Sequence, residues 1–477
     1  MAKKSVSSDK KVASFSELND ALNKFSPDGD ILEDSIYARI DEFISTGSFI
    51  LNAALSGSLF GGMPNRRSLT FAGVEGSGKT YLALSIARNA QAMGYNIVYY
   101  DSEGGIDIDF VKRLGVDTKK FRIENISTIE QFAHLTAKLN EQMDAWRAKG
   151  IQPPKVMVVL DSLGNLSSTK EKEDTTEGSN KRDMTKQQAI RRTFRVVGND
   201  FAKNAIPFII CNHVYESIGS FFGGKTISGG GGILYNSSMI FMLTKSKLTD
   251  KDSEAHVKKQ GLDEHTKIGI VVTVTPTKQR FARPIKVQVH IPFYKKPNPY
   301  VGLEKFVSWE NCGVIRGKCL TDKDFEKLDA KEQETCFSFN VEEVVNVTAP
   351  SVYKKLTEPE KLTIYEVVNE ETGNIEKFIT RNAVRYAQPK DTARTLVCRH
   401  VGGELPLVDL YTDRVFTRSV LTELDENIIK PTFMLPSIES LEDLIDVTAD
   451  LEGFGVDDTQ ISEDNGEYNE ERYESEE

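Results

Sequence analysis

The chain has 477 residues, and its content of 39% hydrophobic and 27% charged residues supports a buried core and excludes collagen-like and wholly disordered chains. It has no run of about 18 apolar residues, and the lysine-rich start, Met1 to Lys11, has no apolar stretch behind it, so we expect neither a membrane span nor a secretory signal. The five cysteines are scattered and form no C-x-x-C pair. This argues against a disulfide framework and a zinc knuckle, and favours a reducing cytoplasm.

The charge is uneven along the chain. Residues 442–477 contain fifteen acidic residues and one basic residue, Arg472, which gives this segment −14 within a total of −11. Residues 1–441 therefore carry +3. This pattern predicts a mildly basic body and, over residues 437–477, an acidic and disordered tail.

The first predicted element is an amphipathic helix in a polar segment, residues 1–43. Apolar residues recur there at helical spacing from Phe15 to Phe25. A short helix with an apolar face must dock on another surface.

Residues 44–310 alternate between strand-like and helix-like segments. This predicts an α/β core with a mostly parallel central sheet flanked by helices. The strands are predicted over residues 68–72, 96–101, 156–161, 207–212, 239–243, 269–276 and 285–290. Helices are predicted over residues 79–93 and 129–146. A charged stretch over residues 167–183 is predicted to lack regular structure, and a third helix follows it and ends near residue 203.

Residues 311–436 are predicted to form an additional α+β segment. A hairpin signal lies at residues 372–374, between two runs rich in β-formers. No role follows from this part of the sequence.

The strongest local signal lies between the first core strand and the first core helix. It matches G-x-x-x-x-G-K-[ST] and comprises Gly73, Val74, Glu75, Gly76, Ser77, Gly78, Lys79 and Thr80. In such a loop the glycines let backbone N–H groups face phosphates, the lysine places its charge on the β and γ phosphates, and the hydroxyl ligates Mg²⁺. The pattern predicts a site for ATP and Mg²⁺, with the adjacent Tyr81 as a further nucleotide-binding residue.

Two carboxylates are candidates to complete this site. The apolar strand 156–161 ends in Asp161, which is expected to hold the magnesium shell opposite Thr80, although a turn-forming Asp would give the same pattern. Glu103 follows strand 96–101, whose carboxyl end faces the same crevice in an open sheet, and is the candidate base that orients water. Asp101 is expected to hold the turn instead.

Several motifs follow one another in a recognisable order. They occupy residues 45–48 (STGS), 73–80, 100–104 (YDSEG), 114–117 (LGVD), 160–166 (LDSLGNL), 211–218 (CNHVYESI) and 228–232 (SGGGG). Their succession resembles the RecA/Rad51 strand-exchange recombinases, in particular those of T-even-like phages, over somewhat more than half of the chain. The resemblance implies a RecA-like P-loop core.

The resemblance also assigns roles to individual residues. It makes Glu103 the catalytic glutamate and Asp161 the Walker B carboxylate, which holds the magnesium. It also implies that the predicted helix in residues 1–43 docks one copy of the chain on the next. Phe110 falls where bacterial members stack a tyrosine on adenine, and the alternative is a buried core phenylalanine. His213 falls where bacterial members place a glutamine that senses the γ-phosphate, so the sensing contact stays in doubt, and a structural histidine is the alternative.

Two loops are implied to bracket DNA. The first spans residues 164–185 and includes Lys181 and Arg182, and the second spans residues 214–231. The DNA-binding candidates of the second loop are Phe221, Phe222, Lys225, Gly229 and Gly230. This composition suits single-stranded DNA, because cations can contact phosphates, aromatic rings can stack on bases and glycines allow the backbone to approach the strand closely. An ordinary solvated loop, which has a similar composition, is the alternative.

A pair of cations lies near the end of the core. Lys278 and Arg280 are two residues apart on a predicted strand and therefore share a face. The resemblance implies that they contact the ATP of a neighbouring copy, so that hydrolysis depends on assembly. A charged edge strand is the alternative.

The predicted function is that of an ATP-dependent recombinase that forms a filament on single-stranded DNA, pairs it with homologous duplex DNA and exchanges strands. The resemblance implies a single-stranded-DNA-binding protein and a mediator as partners, in the cytoplasm of a phage-infected bacterium. The acidic tail then competes with DNA for the basic loops or only keeps the protein soluble.

Two other functions stay open. A hexameric DNA motor with the same core would need a large N-terminal assembly domain, whereas residues 1–43 alone precede the core. A regulatory ATPase without exchange activity would lack turnover that DNA stimulates.

Overall fold

A computed structural model describes residues 13–26, 29, 31–176, 185–216, 225–227, 236–249, 267–353, 363–369 and 373–436. The chain divides into two units, Met1–Met434 and Leu435–Glu477. The acidic tail, residues 437–477, lies outside the described residues, as do Lys181, Arg182, Phe221, Phe222, Gly229 and Gly230. No described helix is long and apolar enough to span a lipid bilayer.

The core strands are β3 Ser68–Gly73, β4 Asn96–Asp101, β5 Phe121–Asn125, β6 Val156–Asp161, β7 Phe208–Glu216, β8 Lys225–Ile227, β9 Met239–Lys247, β10 Gly269–Lys278 and β11 Val287–Pro292. They form a nine-stranded sheet in the order β11-β10-β9-β3-β7-β6-β4-β5, with β8 beside β7. The short strands β1 Phe43–Ile44 and β2 Met63–Pro64 pair outside this sheet. Four pairs in the middle of the sheet are parallel: β9 with β3, β3 with β7, β7 with β6 and β6 with β4. Strand β10 is antiparallel to both of its neighbours, β9 and β11. The predicted mostly parallel sheet is confirmed.

Helices cover both faces of this sheet, as the residue pattern of its strands requires. Successive residues of β6 alternate between two hydrophobic clusters, with Met157 and Val159 in one and Val158 and Leu160 in the other. The helices are α1 Phe15–Asn23, α2 Phe49–Ser56, α3 Lys79–Ala92, α4 Ile108–Arg113, α5 Ile129–Ala148, α6 Thr169–Thr176 and α7 Thr185–Lys203. Because both faces are buried, the strands consist of continuous apolar runs, which made them visible in the sequence.

The amphipathic helix predicted at Phe15–Phe25 is confirmed as α1. Its start is fixed by a capping box in which the Ser14 side chain accepts from Glu17 N while Glu17 accepts from Ser14 N. None of its residues is buried, and the ring of Phe25 is 89% exposed. The helix therefore presents an uncovered apolar face.

One prediction in the core is wrong. The charged stretch 167–183, expected to lack regular structure, contains α6. Ser168 Oγ accepts from Glu171 N at 3.0 Å, and Ser168 N donates to Glu171 Oε2 at 3.3 Å, so the helix has a capping box. Lysine and glutamate also have high helix propensity, so this stretch forms a helix although it has no apolar pattern.

The segment after the core builds a second, antiparallel sheet. Its strands are β12 Val314–Thr321, β13 Phe337–Asn346, β14 Ile364–Val368, β15 Ile375–Pro389, β16 Thr395–Cys398 and β17 Gly403–Pro406. The predicted hairpin is confirmed, since β14 and β15 pair antiparallel around residues 369–374. The remaining helices are α8 Trp309–Cys312, α9 Asp322–Phe325, α10 Ala330–Glu334, α11 Pro350–Tyr353, α12 Arg418–Leu424, a π-helix Asp425–Ile429 and α13 Lys430–Phe433.

The last helices pack on the α/β core. Leu424, Ile429 and Phe433 belong to the same hydrophobic cluster as the strands of the central sheet. The buried carboxylate of Asp425 accepts from Ser58 Oγ at 2.7 Å and from Leu59 N at 2.6 Å. The end of the chain's larger unit is thus fixed to the loop that follows α2.

Candidate nucleotide-binding site

The register of the parallel strands brings the predicted site residues to one edge of the sheet. Gly73 at the end of β3 lies opposite His213 in β7, and Asp101 at the end of β4 lies opposite Asp161 at the end of β6. Ligands of open α/β sheets bind at this carboxyl edge. The P-loop therefore lies beside both candidate carboxylates.

The P-loop, residues 73–80, has the backbone expected for a phosphate cradle. Gly76 and Gly78 have positive φ angles of 65° and 92°, which glycine adopts without strain. A Cβ on Gly73 would lie 2.5 Å from Ser77 Oγ, so a larger residue cannot occupy this turn. The buried Ser77 Oγ has no hydrogen-bond partner within the described part of the chain. A buried hydroxyl of this kind fits a phosphate oxygen as its partner.

Lys79 lies under this loop at the start of α3. It is 7% exposed, and its Nζ donates to Gly73 O at 3.1 Å and to Val74 O at 3.2 Å. Loop carbonyls thus solvate a buried ammonium at the place where a phosphate would lie. The loop suits a phosphorylated ligand in both shape and charge.

Thr80 and Asp161 meet directly. Thr80 Oγ1 donates to Asp161 Oδ2 at 2.6 Å, and Tyr99 OH donates to the same oxygen at 2.7 Å. Burial raises the pKa of Asp161 above its usual value, and the two hydrogen bonds oppose that shift only in part. A hydroxyl and a carboxylate at this distance can hold one Mg²⁺ together with phosphate oxygens, as magnesium sites in nucleotide-binding proteins do. No group of three or more metal-ligating His, Cys, Asp or Glu side chains occurs among the described residues, so the phosphates would have to complete such a site.

Glu103 and His213 form the second contact of the site. His213 Nε2 lies 2.7 Å from Glu103 Oε1. Burial alone would raise the pKa of Glu103, but the hydrogen bond with His213, together with the nearby charges of His213 and Lys79, holds it below its usual value. Glu103 is therefore ionised at neutral pH, as a base that orients water must be.

Asp101 holds the turn that positions Glu103, as predicted. Its Oδ1 accepts from Glu103 N at 2.9 Å and from Gly104 N at 2.8 Å. Ser102 Oγ donates to Ser162 O at 2.6 Å and so ties this turn to the end of β6. The base candidate is thus fixed on a rigid support.

The cavity at this edge has a volume of about 530 Å³, which suits a nucleotide. Its polar lining includes Lys79, Thr80, Glu103, Arg113, Asp161 and His213. Its apolar and aromatic lining includes Tyr81, Phe110, Leu114, Ile270, Ile291, Pro292 and Phe293. Apolar and aromatic side chains can contact a base, and the predicted nucleotide-binding residues Phe110 and Tyr81 are among them.

The sequence did not predict the wall on the β11 side of the cavity or the second support of Asp161. Ile291 lies in β11 and Phe293 directly follows it, and an apolar strand end gives no signal of its own. Tyr99 is two residues from the end of a buried strand and has the pattern of a core residue. Lys245, whose Nζ donates to Glu75 O at 2.7 Å on the outer side of the P-loop, was also missed.

The stems of the two predicted DNA loops lie at the same edge. A Cβ on Gly164 would lie 3.1 Å from His213 Cδ2, so the start of the first loop packs against the histidine of β7. β7 continues to Glu216 and pairs with β8, which carries Lys225 in register with Glu216. The other loop candidates, Lys181, Arg182, Phe221, Phe222, Gly229 and Gly230, are outside the described residues.

Lys278 and Arg280 are not part of this cavity. Lys278 pairs with Ile240, which lies opposite Thr70, so it belongs to the edge of the sheet away from the P-loop. Burial, and then the charge of Arg280, lowers the pKa of Lys278. Neither cation can reach the P-loop of its own chain, and their predicted contact with a neighbouring copy stays a prediction.

Comparison with known proteins decides the family. The family model of the RecA N-terminal domain matches residues 23–295. The chain belongs to the RecA family. It is 34% identical over 204 residues to the recombination and repair protein of Enterobacteria phage T4, and this match covers 42% of this chain and 50% of the relative. It is also 32% identical over 213 residues to the protein RecA of Acidothermus cellulolyticus, and this match covers 44% of this chain and 56% of the relative.

These matches confirm the predicted resemblance to RecA recombinases and to a T-even phage relative. The chain spans about half the length of the relatives it matches. The match to the family model, residues 23–295, contains the P-loop, Glu103, Asp161 and His213. RecA family members use ATP as their nucleotide.

Proposed function

We propose that the chain is a DNA-dependent ATPase that assembles on single-stranded DNA, pairs it with homologous duplex DNA and exchanges strands. The observation that carries this proposal is the 2.7 Å contact between Glu103 and His213. It joins the residue that would activate water to the strand that leads into the predicted second DNA loop. Occupancy of the loops and hydrolysis can therefore influence each other through one side chain.

The nucleotide would lie with its base between Phe110 and the β11 wall and its phosphates on the P-loop. Lys79 would exchange the carbonyls of Gly73 and Val74 for β and γ phosphate oxygens. Mg²⁺, held by Thr80 and Asp161, would neutralise charge that develops on the phosphates. These roles explain why a buried lysine and a buried carboxylate are retained in an otherwise apolar core.

Hydrolysis would use Glu103 to orient water toward the γ-phosphate. While His213 is hydrogen-bonded to Glu103, one carboxylate oxygen is engaged. A phosphate that attracts His213 would release this oxygen and move the end of β7. Because Gly164 packs on His213, the first loop would move with it.

DNA binding is assigned to the two loops on the sequence pattern and the position of their stems. The body of the chain carries only +3, which suits binding by local loops rather than by a broad basic face. A single-stranded-DNA-binding protein and a mediator are the partners expected to control access to the strand.

Self-assembly is supported by an uncovered helix and a groove of matching character. α1 exposes its apolar residues, while α5 and α7 enclose a groove of about 500 Å³ with Ala133, Ala189 and Val196 in its lining. A short helix does not keep such a face in water without a partner. We assign the groove of the adjacent copy as that partner.

The test is a strand-exchange assay between circular single-stranded DNA and homologous linear duplex. Wild-type protein with ATP and Mg²⁺ is expected to produce joint molecules, and heterologous duplex should give none. ATP hydrolysis is recorded in the same reactions. Turnover stimulated by DNA without joint molecules would support the regulatory ATPase, and turnover that ignores DNA would contradict the proposal.

A further inference from the structure

A buried tyrosine contacts the candidate magnesium site from inside the core. Tyr99 lies in β4, two residues before the end of the strand, and its side chain is fully buried. Its hydroxyl donates to Asp161 Oδ2 at 2.7 Å. Tyr99 is not among the described residues that line the nucleotide cavity. An effect of Tyr99 on a bound nucleotide or ion would therefore pass through Asp161.

The register of the central strands explains this contact. Tyr99 lies opposite Val159 in the parallel pair of β4 and β6, and Asp161 follows Val159 by two residues. Residues two apart on a strand share a face, so Tyr99 and Asp161 project to the same side of the sheet. On that side Tyr99, Val159 and the buried apolar residues of α3 belong to one hydrophobic cluster. The first turn of α3 carries Thr80, the other donor to Asp161 Oδ2.

The ring of Tyr99 is held by its neighbours in the core. Its centre lies 5.3 Å from the ring centre of Phe121 in the adjacent strand β5. A phenylalanine would supply the same ring without a buried polar group, which costs free energy unless it has a partner. A phenol hydroxyl keeps its proton at neutral pH and can therefore donate. What the tyrosine adds at this position is thus the hydrogen bond to Asp161.

The two donors to Asp161 Oδ2 differ in what a bound ion would do to them. Thr80 is itself a candidate Mg²⁺ ligand, so the direction of its hydroxyl must suit the ion as well as Asp161. Tyr99 is not a candidate ligand, so its bond to Asp161 can stay the same with and without the ion. Groups that hydrogen-bond a metal site's carboxylates in this way set the orientation of those carboxylates and the affinity for the metal.

We propose that Tyr99 is a positioning residue that holds Asp161 in the orientation that Mg²⁺ requires, and that it makes the site favour Mg²⁺ over Ca²⁺. Mg²⁺ demands near-ideal octahedral coordination, whereas Ca²⁺ accepts irregular geometry. A carboxylate that can rotate therefore lowers the affinity for Mg²⁺ more than the affinity for Ca²⁺. The proposal rests on the proposed function for the presence of a nucleotide with Mg²⁺ in this cavity, but it needs neither DNA nor strand exchange.

The experiment is a metal titration of nucleotide binding in the absence of DNA. Binding of a fluorescent, non-hydrolysable ATP analogue is measured against the concentration of Mg²⁺ and, separately, of Ca²⁺. Tyr99→Phe should need at least about tenfold more Mg²⁺ than wild type for half-maximal binding, and less than about threefold more Ca²⁺. An unchanged Mg²⁺ requirement, or equal losses with the two ions, would overturn the proposal.

Tyr100→Phe is the matched control. It removes the same hydroxyl group from the next residue of β4, which is also buried but belongs to the hydrophobic cluster on the other face of the sheet. The ring of Tyr100 lies 5.1 Å from that of Phe132, and its metal requirement should stay at the wild-type value. Melting temperatures of both variants without nucleotide or metal report structural losses. A lower melting temperature of Tyr99→Phe with an unchanged Mg²⁺ requirement would reduce Tyr99 to a structural partner of a buried carboxylate and overturn the proposal.

A double variant tests whether Tyr99 acts through Asp161. In Asp161→Asn no carboxylate is left to orient, so adding Tyr99→Phe should change the Mg²⁺ requirement by less than about twofold. A further rise of about tenfold would place the action of Tyr99 elsewhere and overturn the proposal, as would binding by wild type that does not depend on Mg²⁺. Absence of strand exchange by wild type, with the selective effect of Tyr99→Phe intact, would contradict only the proposed function.

Discussion

The two ends of β3 differ in how complete they are. At the P-loop end, Lys79, Asp161 and Glu103 each have hydrogen-bond partners that fix them before any ligand binds. At the other end, a second cavity, the arginine cavity, is lined by Arg66, Arg67, Arg195 and Arg280, and Arg66 is ion-paired with Asp41 at 2.8 Å. The difference teaches that the groups predicted to hold the nucleotide are fixed within one chain, whereas Arg280, at the opposite edge of the sheet, is predicted to act on a neighbouring copy.

The largest effect is expected from Glu103→Gln. If Glu103 orients water, the variant should lose ATP turnover by about a thousandfold, because an amide cannot act as a base. Nucleotide binding and assembly on DNA should persist, since Lys79 and Arg280 are intact. Single-turnover hydrolysis and sedimentation measure the two properties. The exposed Glu141→Gln is the control, and loss of nucleotide binding in Glu103→Gln would show that this residue belongs to the binding surface instead.

A smaller loss of turnover is expected from Asp161→Asn, accompanied by a gain in stability. Turnover should fall by about a hundredfold because the magnesium shell loses its carboxylate. Burial raises the pKa of Asp161, so its charged form is disfavoured in the folded protein and costs stability at neutral pH. The melting temperature should therefore rise at pH 7, and the rise should shrink as the pH falls through the raised pKa. Thermal unfolding across pH tests this, and a melting temperature below that of wild type at pH 7 would contradict it.

His213→Ala should shift the pH dependence of turnover. His213 helps to hold the pKa of Glu103 below its usual value, against burial, which raises it. Removing the histidine should move the acidic limb of the turnover profile to higher pH and reduce DNA stimulation by about tenfold. His213→Gln keeps a hydrogen-bond donor and should move the limb less. If the acidic limb of the turnover profile is unchanged in both variants, His213 does not lower the pKa of Glu103.

The smallest effect is expected from removal of residues 442–477. If the acidic tail competes with DNA, its deletion should tighten binding to single-stranded DNA by about fivefold at low salt and less at high salt. Fluorescence anisotropy over a salt series measures this. Equal affinities at every salt concentration would leave the tail with a solubilising role.

The central strands were predictable because a strand that is buried on both faces consists of a continuous run of apolar residues. β4 and β6 have the predicted bounds, 96–101 and 156–161, and each is an apolar run that ends in an aspartate at the ligand edge. β7 and β9 extend beyond their predicted ends, to Glu216 and Lys247. These extensions depend on pairing with β8 and β10, which the residues of β7 and β9 do not encode by themselves.

The candidate site was predictable where one short segment carries the chemistry. The P-loop is continuous in sequence, and the motif names all of its residues. Glu103 and His213 were predicted separately, but their contact spans 110 residues and required the registers of β4 with β6 and of β6 with β7. The arginine cavity had no sequence signal, because its cations converge only when three parts of the chain fold together.

ATP hydrolysis as a function of single-stranded DNA length, with sedimentation of the same samples, tests the account most directly. Turnover should be low without DNA, rise steeply with oligonucleotide length and coincide with large assemblies, because each P-loop is completed by the next copy along the strand. Turnover that is independent of DNA and belongs to a monomer or a small closed ring would contradict the account.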